Sequence, residues 1–591
     1  MPNESPRRKN KDFTAKIVED AVVRDVTAKV RGNKKPTPLN TRQRSFSQRD
    51  PIISLNMNLD FLAKSGQKDA AIRCEEMLLR IEALHDDGYY EKSPDVVSYN
   101  SVINAYAHGK YARSSRSGNA KRLMQLMREK GVKPNSITWN TLLRCILKEI
   151  VEKPSKEKVE EAESIISDME EAAVANTISY NTLLSIISKS GVKDSPQRAE
   201  RWLQRMLKSD EIQPDTCSFN SVIHAYANIG KGSLGAPDRA RRAEDLISQM
   251  ERFYKSGNGN VKADVISYSA VVNAYSKAAS EDGLCATRAM AILQRMEELY
   301  EGGDKDVKPN RRTYTSVVNA FARIGAPEVA DDLLSKMKKR FEAGDISLKP
   351  DTVCYSSVLD AYAKKGGEEC AIRAEELLHE MIDLYNNGNN DVKPNTQTYR
   401  SVITALGRSR QARAAERAEQ ILEEMIYISS QGAKDLAPNT IVYNAVIDAF
   451  ARSESVSKAY RAELLLERML EETDKGDLSV RPDTITFNSV INAAARSKFG
   501  DAIVRKEAFS IGLNAFRHVH NLDYCRPSSV TYVSYLHLLE NLVESSENRD
   551  SMAERIYALC HSFGLVNDAV KSQLRKTCTP LVAQRILSSC D

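Results

Sequence analysis

The sequence predicts an all-α fold, a right-handed α-solenoid superhelix of about twelve helix-turn-helix repeats. Three observations lead to this prediction. The phrase DVVSYNSVINAYA, which begins at Asp95, returns in altered form from Asn135, Asp215 and Asp483. At 591 residues the chain exceeds what one hydrophobic core can hold, so several domains or a repeat array is expected. Apolar residues within the recurring phrase follow helical rather than strand spacing.

The repeats are delimited by the Pro-Asp and Pro-Asn pairs that end most of them. Aligned on these pairs, they fill residues 52–568 and are 39 to 49 residues long. We expect the extra length of the longer repeats to form loops that lie outside the seam between stacked repeats. The twelve repeats begin at Ile52, Val96, Ser136, Thr177, Thr216, Val265, Arg311, Thr352, Thr396, Thr440, Thr484 and Ser529.

Each repeat contains two amphipathic segments, which we call helix A and helix B in chain order. Helix A carries large apolar residues spaced i, i+3, i+4 and i+7, which fall on one helical face. In the tenth repeat these are Tyr443, Val446, Ile447 and Phe450. Helix B carries a small residue followed by three larger ones, so two helices can approach closely. In the same repeat these are Ala462, Leu465, Leu466 and Met469.

A pair of short amphipathic helices cannot bury both apolar faces alone, so successive pairs must stack. Gly- and Asn-rich stretches after helix B predict its end, and a following Pro favours extended backbone. Residues 1–51 are basic and polar, and we expect a largely disordered N-terminal extension. Residues 569–591 are helical in pattern and predict a C-terminal capping helix or tail.

Composition and motifs argue against an enzyme. The formal charge of +5 is too mild to identify a polyanionic partner by itself. No apolar run approaches the length of a membrane span. The ten cysteines show no CxxC pair, and we predict no cofactor and no metal site. His379, His518 and His520 lack the further ligands that a zinc site would need, so we interpret them as packing or surface residues.

The repeats resemble those of pentatricopeptide repeat proteins. The resemblance rests on the aromatic fourth residue, the Asn at position five, the Ala-x-x-Leu-Leu-x-x-Met stripe and the Pro-Asp ending. It covers most of the chain, although these repeats are longer than is usual in that family. It implies a sequence-specific single-stranded RNA-binding protein that reads about one base per repeat. Such a protein would act in organellar RNA metabolism, such as transcript stabilisation, processing, splicing or translation.

In the family the fifth and the last residue of a repeat read one base edge. Amide, hydroxyl and carboxylate groups offer the donors and acceptors that this task needs. The last residue can instead cap the next helix, which is the purely structural interpretation. Arg400 and Val533 depart from the pattern, so reading by the ninth and twelfth repeats is doubtful. The base-reading residues that the resemblance implies are Asn56, Asp95, Asn100, Asn135, Asn140, Asn176, Asn181, Asp215, Asn220, Asp264, Ser269, Asn310, Thr315, Asp351, Ser356, Asn395, Asn444, Asp483, Asn488 and Ser528.

The second residue of a repeat wedges against a base in the family. Here it is mostly β-branched and therefore stiff at χ1. Cys217, Arg312 and Gln397 depart from this pattern. The residues assigned to base wedging are Ile53, Val97, Ile137, Ile178, Ile266, Val353, Ile441 and Ile485.

The thirteenth residue is basic in nine repeats, which matches one cation to one phosphate. Nine phosphate contacts on a single strand predict that log affinity falls with log salt at a slope of about −6. The alternative is that these cations only interact favourably with the negative C-terminal end of the helix dipole. The residues assigned to phosphate contact are Lys64, Lys148, Lys189, Lys277, Arg323, Lys364, Arg408, Arg452 and Arg496.

The pairing rules implied by the resemblance predict the target 5′-U-Y-Y-U-U-A-G-A-N-U-C-N-3′. We expect a monomer without membrane contact, located in a mitochondrion or plastid, with nuclear or cytosolic residence left open. Other RNA-processing factors are further possible partners. The alternative function is a helical-repeat scaffold that binds a protein partner along its concave face. Such a groove should vary irregularly at positions five and last, whereas here they keep to a few polar residue types.

Overall fold

The computed structural model describes residues 51–588 except 66, 68, 89–90, 109–114 and 229–234. The predicted N-terminal extension therefore lies almost entirely outside the described residues. Within them the chain forms 26 α-helices and no strand. The predicted all-α class is confirmed.

Helices A start where the repeats start. From the second repeat onward, each helix A begins at the first residue assigned to its repeat. The helices A are α1 (Pro51–Lys64), α3 (Val96–His108), α5 (Ser136–Glu152), α7 (Thr177–Lys189), α9 (Thr216–Asn228), α11 (Val265–Ala278), α13 (Arg311–Ile324), α15 (Thr352–Lys365), α17 (Thr396–Ser409), α19 (Thr440–Arg452), α21 (Thr484–Ala495) and α23 (Ser529–Leu542).

Each helix A is followed by a helix B, and a thirteenth, shorter pair ends the chain. The helices B are α2 (Ala70–Asp86), α4 (Arg116–Glu129), α6 (Lys156–Glu171), α8 (Ser195–Leu207), α10 (Ala236–Lys255), α12 (Leu284–Glu301), α14 (Pro327–Glu342), α16 (Glu368–Asn386), α18 (Ala412–Ser430), α20 (Lys458–Asp474), α22 (Ala502–Asn521) and α24 (Ser546–Ser562). The final pair is α25 (Asp568–Thr577) and α26 (Pro580–Ser588).

The chain divides into two compact units, Met1–Ala274 and Tyr275–Asp591, with the division inside α11. In the first unit, α1, α3, α5, α7 and α9 pack side by side in chain order. In the second unit, the helices A from α13 to α23 do the same, and α25 continues the row. In both units a helix B packs against its own helix A and against the next one.

The predicted apolar stripes form the core. In the tenth repeat all eight stripe residues are buried, from Tyr443 in helix A to Met469 in helix B. Trp202 of the eighth helix is an exception, since it is only half-buried. Its indole Nε1 donates to Glu163 Oε1 at 3.0 Å. A polar ring atom therefore stays at the edge of the core.

In the sixth to tenth repeats the segment after helix B is ordered and buries an apolar residue, so for these segments our expectation of loops outside the seam is wrong. After helix B the chain turns at a Gly with positive φ, such as Gly388 at +92°, which a side chain would strain. A short 3₁₀ helix follows in five consecutive repeats, at Lys305–Val307, Ile346–Leu348, Asn390–Val392, Lys434–Leu436 and Leu478–Val480. Each contributes one buried apolar residue, namely Val307, Leu348, Val392, Leu436 or Val480.

Ion pairs join these segments across neighbouring repeats. Each pair links a lysine just before the Pro of one repeat to an aspartate of the next 3₁₀ segment. The Nζ–carboxylate distances are 2.8 Å for Lys308–Asp345, 2.6 Å for Lys349–Asp391 and 2.5 Å for Lys393–Asp435.

The C-terminus differs in detail from the predicted capping helix. Two short helices stand there instead of one, because Pro580 starts a new helix after the extended residue Cys578. Asn567, rather than Asp568, caps the helix that follows the twelfth repeat, and its Oδ1 accepts from Val570 N at 3.1 Å. The twelfth repeat therefore ends one residue earlier than the sequence alignment placed it. None of the described helices is long and apolar enough to span a membrane.

Candidate nucleic-acid interface

The last residue of a repeat caps the helix A that follows it. Asn135 shows the arrangement: its Oδ1 accepts from Thr138 N at 3.1 Å, and Thr138 Oγ1 accepts from Asn135 N at 3.1 Å. This capping box recurs at Asn176, Asn395 and Asp483. The structural role proposed for the last residue is therefore real, whether or not it also reads a base.

In the first compact unit the fifth and last residues of a repeat are in contact. The fifth residue lies in the first turns of helix A, and the last residue heads the neighbouring helix A. In each case the Asn Nδ2 atom donates to a side-chain oxygen. The distances are 3.1 Å for Asn56–Asp95, 3.3 Å for Asn100–Asn135, 3.4 Å for Asn140–Asn176, 3.1 Å for Asn181–Asp215 and 3.2 Å for Asn220–Asp264.

The second compact unit repeats this contact once and varies it elsewhere. Asn444 Nδ2 donates to Asp483 Oδ1 at 3.1 Å. The hydroxyl of Ser356 lies 3.2 Å from Thr398 Oγ1, in the next repeat. The Oδ1 atom of Asn488 is buried and accepts no hydrogen bond from any described residue. Among the described residues of the second unit, a fifth–last hydrogen bond joins Asn444 to Asp483, whereas Ser356 contacts the third residue of the next repeat instead of its predicted partner Asn395.

The sequence analysis missed the third residue of the repeat. Ser98, Ser218 and Ser267 are fully buried, and each donates to the fifth Asn of the preceding repeat at 2.6 Å. The hydroxyl of Thr486 bonds only the cap residue, and the Asn444 Oδ1 atom stays buried without a partner among described residues, whereas Thr398 also lies 3.2 Å from the Ser356 hydroxyl. Ser or Thr recurs at this position in most repeats, and this recurrence could have indicated a shared role.

Half of the twelve fifth residues are buried, and the other half are partly exposed. Asn140, Asn220, Ser269, Thr315, Ser356 and Asn488 are only 7–9% exposed. Their partners, the last residues, are half-exposed or exposed. A ligand would therefore meet the last residue of each repeat before the fifth.

The second residues form an exposed row beside these pairs. Apolar side chains are normally buried, so a repeated exposed position marks a contact surface. All eight assigned wedge residues are between 50% and 62% exposed, namely Ile53, Val97, Ile137, Ile178, Ile266, Val353, Ile441 and Ile485. Val530 shares this exposure at 54%.

The ninth repeat replaces this pattern with a polar network centred on Asp360 of the eighth repeat. Gln397 Nε2 lies 3.3 Å from Asp360 Oδ1, and Arg400 Nη2 lies 3.8 Å from the same oxygen. The hydroxyl of Ser401 also donates to Asp360. Gln397 and Arg400, the residues of the ninth repeat that depart from the sequence pattern, therefore both contact an acidic side chain.

Several thirteenth residues cap the preceding helix A. Arg408 Nη1 donates to the carbonyls of Ala363 and Lys364 at 2.8 Å, and Arg496 Nη1 reaches Ala451 O at 3.4 Å. Lys364 donates to Arg323 O in the same way. This is the helix-end role that the sequence analysis held open, and it satisfies carbonyls that have no partner within their helix.

Other thirteenth residues have different surroundings. Lys64 pairs with Asp60 at 2.7 Å, and Arg452 pairs with Asp448 at 2.7 Å. Lys148, Lys189 and Lys277 are exposed. Near Lys148, burial and the charges of Arg144 and Lys148 hold the pKa of His108 below its usual value. This end of the row is locally positive.

The described residues contain no group of three or more His, Cys, Asp or Glu side chains arranged to hold a metal ion. Most cysteines in this part of the chain are buried thiols, and burial raises the pKa of Cys145 to about 12. Cys217 is the exposed exception and occupies a second position.

Four family descriptions match the chain, and together they cover more than half of it. They are "PPR repeat family" at residues 94–148, "Pentatricopeptide repeat domain" at 164–229 and 384–453, "Pentacotripeptide-repeat region of PRORP" at 238–384, and "PPR repeat" at 441–472. The long-repeat description falls on the part of the chain where the ordered insertions begin.

Similar curated proteins come from Arabidopsis thaliana. A pentatricopeptide repeat-containing protein is 24% identical over 237 residues, which cover 39% of this chain and 35% of that protein. A second, named mitochondrial, is 29% identical over 169 residues, covering 27% of this chain and 35% of its own length. The matches thus span about a third of these relatives. A third, named chloroplastic, is 25% identical over 199 residues, which cover 33% of this chain and 22% of that protein.

Solved structures of the maize pentatricopeptide repeat protein PPR10 are also similar. One covers 97% of this chain and 71% of PPR10, with 21% identity and a TM-score of 0.44. A second is a complex with an 18-nt psaJ RNA element. It covers 97% of this chain and 87% of the solved chain, with 18% identity and a TM-score of 0.32.

Proposed function

Because this chain belongs to the pentatricopeptide repeat family, with lengthened repeats, we propose that it binds single-stranded RNA along the starts of its helices A. Each repeat would present its fifth and last side chains to one base, as modular readers of this type do. The wider role follows the sequence expectation, which is RNA metabolism in a mitochondrion or plastid.

One observation carries the proposal, namely the recurring contact between the fifth and last side chains. Six repeats place an Asn amide 3.1–3.4 Å from an Asp or Asn side-chain oxygen. Two adjacent polar groups of this kind can distinguish bases by their Watson–Crick edges. The exposed β-branched row beside them supplies apolar surface against which a flat base can pack.

The burial of the fifth residue limits how reading can occur. In Asn220 the amide is held by Asp264 and the carbonyl by Ser267, so a base must approach the exposed side of Asp264 first. Breaking one of these hydrogen bonds costs about 0.5–1.5 kcal/mol, and a new hydrogen bond to a base must offset that cost. We therefore infer that the last residue dominates recognition in repeats with buried fifth residues.

Phosphate contact is best supported for Lys148 and Lys189. They are exposed, and neither belongs to an ion pair found among the described residues. Arg408 and Arg496 already donate to carbonyls, so only their remaining N–H groups are available to bind phosphates. A salt slope shallower than −6 is the expected consequence.

A selection experiment tests the proposal. The full chain is incubated with a random pool of single-stranded RNA, and bound sequences are recovered and compared with the input pool. We expect enrichment of a core that matches U-U-A-G-A, which corresponds to the fourth to eighth repeats. The same selection is repeated with the Thr315→Asn variant, in which the enriched G should change toward U. Bound RNA without enrichment would overturn base reading, and no bound RNA would overturn the RNA proposal and leave a protein-binding scaffold as the remaining function.

A further inference from the structure

A cavity of about 410 Å³ lies where helix A turns into helix B in the tenth and eleventh repeats. Its wall includes Lys458 at the start of α20, and Arg496, Lys498 and Phe499 after α21. His537 of α23 closes one side. The cavity thus joins three consecutive repeats of the second compact unit.

Positive charge dominates this cavity. Arg452, Lys458, Arg496 and Lys498 line it, whereas Glu454 contributes the one carboxylate among its described lining residues. Arg452 is paired with Asp448. Lys458, Arg496 and Lys498 make no ion pair with any described residue. The cavity therefore holds three cations without a paired counter-charge.

Lys458 is the least exposed of these cations. Its side chain is 8% exposed, and its Nζ atom donates to Ser453 O at 2.7 Å. Burial and the charge of Arg496 lower the pKa of Lys458, although Glu454 acts in the opposite direction. Burial and the charge of Arg452 likewise lower the pKa of Arg496. Lys458 is buried whereas Arg496 and Lys498 are exposed, so repulsion between these like charges raises the free energy of the empty site mainly at Lys458, and a bound anion would reverse this.

An exposed aromatic ring stands at the mouth. Phe499 is 87% exposed, the highest value among the exposed large apolar residues described. The Nζ atom of Lys498 lies 5.1 Å from the centre of its ring. An exposed aromatic side chain beside cations is the combination that single-stranded nucleic-acid sites use, since bases stack on the ring while cations hold the backbone.

The cavity also lies on the thirteenth-residue row. Arg452, Arg496 and Asn541 are the thirteenth residues of the tenth, eleventh and twelfth repeats, and all three line it. Asn541 Nδ2 donates to Ala495 O at 3.0 Å, as Arg408 and Arg496 donate to carbonyls of the helices A before them. A strand whose phosphates follow this row would pass the mouth of the cavity.

We propose that this cavity binds one phosphate of a nucleotide through Lys458, Arg496 and Lys498, and that Phe499 stacks the base attached to it. A volume of 410 Å³ falls within the range of about 300–1,000 Å³ that small-ligand sites occupy. The inference rests on the proposed function, because we assign the phosphate to the bound RNA strand. A free nucleotide carries the same chemistry, so the test must separate the two sources.

The test uses the full chain and two exposed positions that can change without disturbing the core. Binding of fluorescein-labelled U12 RNA is followed by anisotropy between about 50 and 200 mM salt. Lys498→Gln should make the slope of log affinity against log salt shallower by about 0.7, because one phosphate contact is lost. Phe499→Ser should weaken binding by about tenfold at every salt concentration, with the slope unchanged, because stacking is lost.

Matched controls are Lys506→Gln, which removes an exposed lysine of α22, and Leu581→Ser, which removes an apolar side chain that is 83% exposed. Both should bind U12 as the wild type does. In parallel, saturation-transfer NMR with uridine monophosphate reports whether a free nucleotide contacts the chain. Loss of that signal in the Lys498 and Phe499 variants, together with their weaker RNA binding, would support the inference.

The remaining outcomes separate the two proposals. Unchanged U12 affinity and slope in both variants would overturn the cavity inference while RNA binding itself stands. A uridine monophosphate signal that depends on Lys498 and Phe499, combined with unchanged U12 binding, would also overturn the assignment to the strand. If the wild type binds no RNA but retains that signal, the RNA proposal fails and the cavity remains a nucleotide site.

Discussion

The side chain of Asn181 donates through Nδ2 to both carboxylate oxygens of Asp215, at 3.1 Å each. The same Asn accepts a hydrogen bond from Ser218 at 2.6 Å. Two groups proposed to read a base are therefore also part of the contact between neighbouring helices A. RNA recognition and folding stability are therefore coupled at these positions, and a mutation there should be tested for its effect on both RNA affinity and the free energy of unfolding.

Replacing Asn181 by Ala tests this coupling. Asp215 keeps its cap bond to Ser218, but the amide contacts are lost, so the free energy of unfolding should fall by about 1–2 kcal/mol. The urea midpoint of the purified chain measures the change. Ile178→Ala is the control, because that side chain is 60% exposed and its removal should change the free energy by less than about 0.5 kcal/mol. Equal midpoints for both variants would contradict the coupling.

Thr315→Asn tests base reading in the seventh repeat. Asn with Asp351 as last residue should favour U where Thr with Asp351 favours G, because the amide offers a different donor and acceptor pattern. Affinities for two RNAs that differ only at this base measure the preference. Ser316→Asn, at the adjacent half-buried position, should leave the preference unchanged. The reading hypothesis fails if Thr315→Asn leaves the preference unaltered.

Lys148→Gln and Arg408→Gln should have different effects, although both are thirteenth residues. Lys148 is exposed, so its loss should make the salt slope shallower by about 0.7 without changing the urea midpoint. Arg408 donates to two carbonyls of the preceding repeat, so its loss should lower the midpoint. An unchanged midpoint for Arg408→Gln would show that its capping bonds contribute little.

The ninth repeat should gain base preference when its network is removed. In the double variant Gln397→Ile, Arg400→Asn, both side chains release Asp360, and the repeat acquires the usual second and fifth residues. With Asn439 as its last residue, the resemblance implies a pyrimidine. RNAs that vary only at the ninth base measure the effect, with Arg413→Asn as an exposed control. Continued indifference to this base would show that the network is not what prevents reading.

Acid should weaken the contact between the second and third repeats through Glu149. Burial raises the pKa of this carboxyl, but hydrogen bonds from Ser117 N, Lys158 Nζ and the Ser115 hydroxyl outweigh it, and the net pKa is lowered. A lowered carboxyl pKa contributes stability that is present above the unfolded value of about 4.3 and is lost as pH falls through the folded value.

The measurement compares urea midpoints of the wild type and Glu149→Gln between about pH 7 and pH 3. The variant should be less stable at neutral pH and should lose less of its remaining stability on acidification. Glu171→Gln is a control on an exposed carboxyl at the end of the next helix. Parallel pH profiles for the wild type and Glu149→Gln would exclude this role for Glu149.

The repeat boundaries were predicted correctly because they depend on local chemistry. Pro followed by Asp or Asn both ends an extended stretch and caps the next helix, and Asp483 does so with a capping box. At the end of the twelfth repeat, where Asn567 and Asp568 are adjacent and no Pro precedes them, the prediction chose Asp568 although Asn567 is the cap. The apolar stripes were equally predictable, because helical spacing fixes which residues share a face.

The sequence by itself determined the all-α class, the starts of the helices A from the second repeat onward and the identity of the polar and apolar rows. These depend on capping, spacing and side-chain type, which act within a few residues along the chain. Only the tertiary structure decided that half of the fifth residues are buried, that Ser218 donates to Asn181, that Arg408 caps the neighbouring helix and that Asp360 contacts Gln397 and Arg400. These contacts join residues roughly one repeat apart, and distances across that separation are set by how the helices pack, not by spacing within one helix.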